Sequence, residues 1–273
     1  SFDVTITDTE SPNITCPSDI SVTNDGGLCS AVVTYTAPIG TDNCAGSVTS
    51  QTLGLPSGSA FPVGTTVNTF LVTDASGNTS SCSFNVIVTD TEAPTITCPG
   101  TVNQNNDPGL CGAIVTYSLP TTGDNCAGEV LSQTAGLPSG SFFPVGTTVN
   151  TYQVTDASGN STTCSFNVIV ADTEFPTITC PSNITVNNDP GDCSAIVTYS
   201  SPTVVDNCSG TTITRFQGLS SGVAFPIGIT TNGFEVVDAS GNRDTCYFDV
   251  EVLDNESPFI TCPFPIFVNN DPG

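Results

Sequence analysis

The chain has 273 residues, with 26 Asp and Glu against 2 Lys and Arg, no His, Met or Trp, and a formal charge of −24 at neutral pH. With Arg215 and Arg243 as its only basic side chains, nucleic-acid binding by phosphate neutralisation and docking on an anionic membrane surface are excluded. The absence of His removes every His-based triad, metal site and proton shuttle. A hydrophobic fraction of 37% and a mean hydropathy of +0.11 are too apolar for a disordered acidic tail. No apolar run reaches spanning length, so the expectation is a folded segment without membrane insertion.

Read in chain order, residues 1–9 repeat the pattern of 83–91 and correspond to the last strand of a preceding unit. Three units follow at 10–91, 92–173 and 174–255, and residues 256–273 open a fourth, ending in an Asp271-Pro272-Gly273 turn. Cysteines mark the period: Cys16, Cys29, Cys44 and Cys82, then Cys98, Cys111, Cys126 and Cys164, then Cys180, Cys193, Cys208 and Cys246, each set 82 residues after the last, with Cys262 beginning another. The text TDTESPNITCP from Thr7 returns as TDTEAPTITCP from Thr89 and ADTEFPTITCP from Ala171, and the third unit drifts mainly between Thr203 and Val237. Self-similarity at one fixed period means an array of like modules, each large enough for its own core. The chain reads as three whole modules of a longer array.

Within a unit the pattern is all-β. Cys29, Ala31, Val33 and Tyr35 alternate with polar or outward positions up to Thr36, and Cys82, Phe84, Val86 and Val88 do the same up to Thr89. A period of two is a strand with one buried face. Turn residues punctuate these runs, as in Asn106-Asp107-Pro108-Gly109 and Asp156-Ala157-Ser158-Gly159-Asn160; Pro108-Gly109 suits the central positions of a type II turn. Tyr35, Phe61, Phe70 and Phe84 recur with the period and read as core, whereas Phe142, standing where the first unit has Ala60, reads as the exposed aromatic. The predicted fold is a tandem of immunoglobulin-like β-sandwiches forming an elongated rod.

Four regularly spaced cysteines per module without His or a CxxC pair read as disulfides rather than zinc ligands. Four cysteines allow three connectivities. Cys16 shares strand phase with Ile14, and Cys82 with Phe84 and Val86, so both point inward. A Cys16–Cys82 bridge, repeated as Cys98–Cys164 and Cys180–Cys246, leaves Cys29–Cys44, Cys111–Cys126 and Cys193–Cys208. Against that second set, residues 29–36 would run about 20 Å before the chain could fold back.

Asp8-Thr9-Glu10-x-Pro12-x-Ile14-x-Cys16-Pro17, Asp42-Asn43, Phe61-Pro62-Val63-Gly64-Thr65-Thr66, Asp74-Ala75-Ser76-Gly77-Asn78 and Cys82-Ser83-Phe84 together resemble the hyalin repeat. The resemblance covers all three units and runs into both partial ones. It implies immunoglobulin-like extracellular modules associated with adhesion, and it supports the Cys16–Cys82 pairing. The extra Cys29 and Cys44 resemble the four-cysteine form of bacterial surface adhesins.

The acids recur in fixed slots: Asp8, Glu10, Asp42 and Asp74; Asp90, Glu92, Asp124 and Asp156; Asp172, Glu174, Asp206 and Asp238. In an immunoglobulin-like sandwich the leading linker, the loop before Cys44 and the last hairpin turn share one pole, so these carboxylates converge at each junction. Hard oxygen ligands at such density suit Ca²⁺. The alternative is turn chemistry, with Asp74 and Asn78 capping backbone amides and Asp42-Asn43 forming an Asx turn. A Cys29–Cys44 bond would draw Asp42 towards the other pole.

No Ser or Cys has a His or Lys base; paired carboxylates leave glycosidase chemistry as the enzymatic alternative, but identical acids repeated near turns in every unit argue against an active site. The reading is a non-enzymatic structural and adhesive stalk of a large extracellular or cell-surface protein. Its partners would be neighbouring repeats of the same chain and a cell-surface or glycan ligand. Two alternatives stand beside it: a carbohydrate-binding module, which requires an exposed aromatic pair or pocket repeated at the period, and a subunit of a self-assembling filament.

Overall fold

The computed structural model describes residues 2–268, so the Asp271-Pro272-Gly273 turn lies outside the described residues. Regular structure among them is entirely β, in 22 strands, and the architecture is one of tandem β-sandwich modules. The chain divides into two compact units, residues 1–102, 116–141 and 148–168 in one and 103–115, 142–147 and 169–273 in the other. The division runs through the middle repeat.

In the first unit, the first repeat supplies β1 (Ile20–Thr23), β2 (Ser30–Val33), β3 (Val48–Leu53), β4 (Ser59–Pro62), β5 (Gly64–Thr73) and β6 (Thr79–Thr89). One sheet has the order β1-β6-β5-β3. β1 lies parallel to β6 with Ile20 opposite Val86, and β5 lies antiparallel to both β6 and β3. The antiparallel pair β2–β4 forms the facing layer. Alternation puts Phe70 of β5 and Phe84, Val86 and Val88 of β6 inside, against Ala31, Val33 and Phe61, while Val72 of β5 is buried beside Gly40. Each large apolar side chain so buried contributes about 1.5–3 kcal/mol. The Tyr35 ring meets Phe61, Phe70 and Phe84 edge-on at 6.4, 6.3 and 5.0 Å, and its hydroxyl donates to the Leu55 carbonyl at 2.6 Å, which satisfies the polar end of a half-buried ring.

β2 is four residues long rather than reaching Thr36. Beyond Val33 the ladder is replaced by one side chain: the Tyr35 amide donates to Ser57 Oγ at 2.8 Å, and that hydroxyl donates back to the Tyr35 carbonyl at 2.7 Å. Between β3 and β4 a buried polar pin sets the turn. Asn68 is fully buried, and its Oδ1 accepts from the Leu55 amide at 2.9 Å and Gln51 Nε2 at 3.1 Å. Gly54 closes over it with φ +89°, so close that a Cβ would lie 2.2 Å from Asn68 Oδ1.

In the second unit, the third repeat has the same plan. Ile184–Asn187 runs parallel to Arg243–Leu253, which pairs antiparallel with Gly228–Val237 and through it with Thr212–Gln217. Ser194–Val197 pairs with Val223–Pro226, and Thr177–Thr179 with Thr203–Val205. Phe225, Phe234 and Phe248 fill its core around Tyr199. Asp107 accepts from the Leu110 amide at 2.9 Å across Pro108-Gly109, with Gly109 at φ +73°, as a tight turn with glycine third requires.

Candidate functional site

Cys16 is bonded to Cys82, Cys98 to Cys164 and Cys180 to Cys246, with Cα separations of 5.6, 5.8 and 5.6 Å. Each staples the leading segment of a module to its last strand, and in the first module Cys16 and Cys82 pack against the core. The expected bonds within a module from Cys29 to Cys44, Cys111 to Cys126 and Cys193 to Cys208 are overturned. Cys29 is bonded instead to Cys126, and Cys111 to Cys208, both with Cα atoms 4.9 Å apart and 97 residues of separation. β6 explains this. Asn24, in the turn before Cys29, hydrogen-bonds the Thr89 carbonyl at the exit of that strand, whereas Cys44 lies near Asp8 and Asp42, where the chain enters. The 11 residues of β6 put those ends about 35 Å apart. The exit end of one module meets the entry end of the next, so the second bond crosses the junction.

The same junction gathers the acids. Asp90, Asp124 and Asp156 have oxygens within 4.8 Å of one another, as do Asp172, Asp206 and Asp238. At the start of the chain the corresponding group is Asp8, Asp42 and the Cys44 thiol, without Asp74. The slots differ in kind. Asp156 is held by its own turn: Oδ1 accepts from the Ser158 and Asn160 amides at 2.9 and 2.8 Å, and Oδ2 from Asn160 Nδ2 at 2.8 Å, which leaves Oδ2 one free lone pair towards Asp90 and Asp124. Asp74 and Asp238 are held identically, which is the turn chemistry that was the alternative reading. Burial raises the pKa of these three carboxyls, but the donors of the turn outweigh it and hold them below the ordinary value.

Asp90 and Asp124 are not saturated. Asp90 is 3% exposed, and its Oδ2, together with Asp124 Oδ1 and Asn125 Oδ1, is buried without a donor. Asp172 Oδ2, Asp206 Oδ1 and Asn207 Oδ1 repeat the pattern. Burial, then the charges of Asp238 and Asp172, push Asp206 above the usual carboxylate range against the pull of the Cys208 and Asn207 amides. Buried acceptors lacking donors, beside further negative charge, are costly unless a cation joins them. The donor set, all hard oxygen, fits Ca²⁺ or Mg²⁺ better than a softer metal.

The glutamates stand outside these groups. Glu92 reaches back into the preceding module, where its carboxylate accepts from the Gly27 amide at 2.8 Å and Asn24 Nδ2 at 3.5 Å. Glu174 does the same with the Gly109 amide, at 3.0 and 2.9 Å, and with Asn106 Nδ2 at 3.0 Å. Glu10 instead accepts from Asn43 Nδ2 at 2.9 Å. Cys44, exposed beside Asp8, has its pKa raised by the hydrogen bond to Asp8 and by that group's charge.

Phe142 is 46% exposed, but Phe216 and Tyr247 are more so, at 51% and 55%. Their rings meet at 5.7 Å and 87° over Gly233, where a Cβ would lie 2.8 Å from the Phe216 ring. The first module has Thr52, Ser83 and Thr69 in those places, with Thr69 and Ser83 hydroxyls bonded at 2.9 Å. The aromatic pair fills the space above a glycine and does not recur.

The HYR domain model matches residues 7–88, 89–170 and 171–252. Among curated proteins, hyalin of Strongylocentrotus purpuratus is 37% identical over 96% of the chain and 23% of its own length. Hyalin of Lytechinus variegatus is 37% identical over 96% of the chain and 51% of its own length. The chain therefore spans about half, or less, of these relatives. The serine-rich adhesin for platelets of Staphylococcus aureus is 33% identical over 46% of the chain and 6% of its own length.

Proposed function

The chain belongs to the HYR domain family, and on that premise we propose that it is a structural and adhesive stalk segment of a larger extracellular protein, its modules locked together by disulfides and stiffened by Ca²⁺ at their junctions. The similarity to hyalins and to a platelet adhesin supports the extracellular, adhesive part of this reading. The observation that carries it is the junction itself, where Cys29–Cys126 lies beside Asp90 and Asp124 with their donorless oxygens.

The residues divide the work. Cys16–Cys82 ties the entry of a module to its last strand, so pulling on the ends cannot peel that strand away. Cys29–Cys126 carries load from one module into the next. Glu92 and Asn125 orient the junction, the first accepting from Gly27 and the second donating to the Leu28 carbonyl at 3.2 Å. Asp90, Asp124 and Asp156 would hold the cation, with Asn160 fixing Asp156 and the Asp90 carbonyl. Bound Ca²⁺ would supply the positive charge that the carboxylates lack. A chain so crosslinked suits an oxidising, chaperone-free setting, and an array of such modules can present many weak contacts at once. The reading assigns it no reaction.

Stretching single molecules between their ends tests the mechanical role. Reduced, each unfolding module should release on the order of 270–300 Å of chain. Oxidised, the module bridges should hide most of that length. Equal release in both states contradicts the proposal.

A further inference from the structure

One dipeptide, Asn125-Cys126, touches both the preceding module and the acids. Towards the preceding module, Asn125 Nδ2 donates to the Leu28 carbonyl at 3.2 Å, and Cys126 is bonded to Cys29, the residue after Leu28. Towards the acids, the same Nδ2 donates to Asp90 Oδ1 at 3.4 Å, and the Cys126 amide donates to Asp124 Oδ2 at 3.2 Å. Each of these two acids therefore has one oxygen held by the dipeptide and its other oxygen, Asp90 Oδ2 or Asp124 Oδ1, buried without a donor. Asp90 is 3% exposed, so water cannot serve its orphaned oxygen, and a cation can.

Asn207-Cys208 makes the same four contacts. Asn207 Nδ2 donates to the Leu110 carbonyl at 3.1 Å and to Asp172 Oδ1 at 3.2 Å, Cys208 is bonded to Cys111, and its amide donates to Asp206 Oδ2 at 3.3 Å. The orphaned oxygens are again the other two, Asp172 Oδ2 and Asp206 Oδ1. The Asn side chain has no second orientation that serves these groups. A carbonyl, a carboxylate and the cysteine sulfur at 3.6 Å all accept, so the nitrogen must face them. Releasing the preceding module thus frees the donor that Asp90 or Asp172 shares with it. The third acid of each group stands apart, because Asp156 and Asp238 are fixed by their own turns.

We infer, resting on the calcium reading above, that the disulfide across each junction and the cation site beside it are coupled through this dipeptide: the Cys29–Cys126 bond sets Asp90 and Asp124 in place for Ca²⁺, and bound Ca²⁺ in turn favours the bond. Asn125 and Asn207 are the positioning residues of the coupling. Without the bond, the ion itself has to order the dipeptide and the module it docks on, which lowers affinity. Linkage makes the effect reciprocal. The factor by which the bond raises Ca²⁺ affinity is the factor by which Ca²⁺ raises the equilibrium constant for forming the bond. In that reaction the Cys29 and Cys126 thiols give two protons and two electrons to oxidised glutathione, which becomes two molecules of reduced glutathione. The same holds for Cys111 and Cys208.

The test titrates CaCl₂ calorimetrically into the oxidised 273-residue chain and into the same chain carrying Cys29→Ser, Cys111→Ser, Cys126→Ser and Cys208→Ser, which keeps the three bonds inside modules. Loss of the junction bonds should weaken Ca²⁺ binding about tenfold. Asn125→Ala with Asn207→Ala should cut that ratio to about threefold or less, whereas a role confined to folding would weaken binding equally with and without the bonds. The unmutated chain supplies the reciprocal measurement. In glutathione buffers, alkylation and peptide mapping should place the midpoints of Cys29–Cys126 and Cys111–Cys208 about 30 mV lower in saturating CaCl₂ than in chelator, with the bonds inside modules moving less. Equal Ca²⁺ affinity with and without the junction bonds, or one shift shared by all five disulfides, overturns the inference and leaves the calcium reading standing. An oxidised chain that binds no Ca²⁺ overturns both.

Discussion

The Glu92 carboxylate accepts the Gly27 amide at 2.8 Å, an acid of the linker reaching back 65 residues into the module it has just left. Glu174 and Gly109 repeat this contact. Glu92 is thereby committed to orientation, and its carboxylate stands outside the group of Asp90, Asp124 and Asp156. Glu92→Ala should lower stability by about 0.5–1.5 kcal/mol while leaving Ca²⁺ affinity within about threefold, measured by denaturant melts and calorimetric titration.

Asp124 should behave in the opposite way. Its Oδ1 is buried without a donor beside Asp90, so Ca²⁺ should raise the melting temperature. At free Ca²⁺ a hundredfold above Kd the gain is about 2.7 kcal/mol per site. Asp124→Asn should weaken binding about tenfold or more by removing a charged ligand and should stabilise the metal-free chain by easing repulsion. An identical melt in excess Ca²⁺ and excess chelator would sink the metal reading.

Gly54 tests the buried polar pin. With φ +89° and Asn68 Oδ1 at 2.2 Å from any added Cβ, Gly54→Ala combines left-handed strain with overpacking and should cost about 2–4 kcal/mol. Gly58, also at positive φ but with nothing within 4 Å, should lose less on the same change. Thermal melts of the two variants make the comparison.

Asp19 supplies a pH dependence away from the junction. Its carboxylate accepts the Asn85 amide at 2.7 Å and Asn85 Nδ2 at 3.0 Å, and these bonds, the amide first, lower its pKa. A depressed folded pKa contributes stability that is complete above the ordinary carboxylate value and disappears as pH falls through the folded value. Carbon-detected NMR titration should place Asp19 below an unperturbed Asp, and Asn85→Ala should move it upward.

Much of the fold was legible because strand phase is local. The alternation of Phe84, Val86 and Val88 put Cys82 on the inner face, and the matching phase of Ile14 did so for Cys16. The partner of Cys29 was not legible, for a reason inherent in repeats: Cys44 and Cys126 are the same position one period apart, so no pattern within the period distinguishes them. What decides is which end of β6 each cysteine occupies, a three-dimensional fact. The acids were similarly ambiguous. Asp156 sits in a recognisable turn and Asp90 in the linker, but only the donors seen in the structure separate a turn-capping carboxylate from one with an unmet oxygen. The reach of Glu92 to Gly27 left no local signal. The third-repeat drift between Thr203 and Val237 was visible, but the pairing of Phe216 with Tyr247 over Gly233 needed the cross-strand register.

The direct test of covalent linkage between modules is mass spectrometry of peptides cut under non-reducing conditions. The account predicts fragments joining Cys29 to Cys126 and Cys111 to Cys208; fragments joining Cys29 to Cys44 and Cys111 to Cys126 would contradict it.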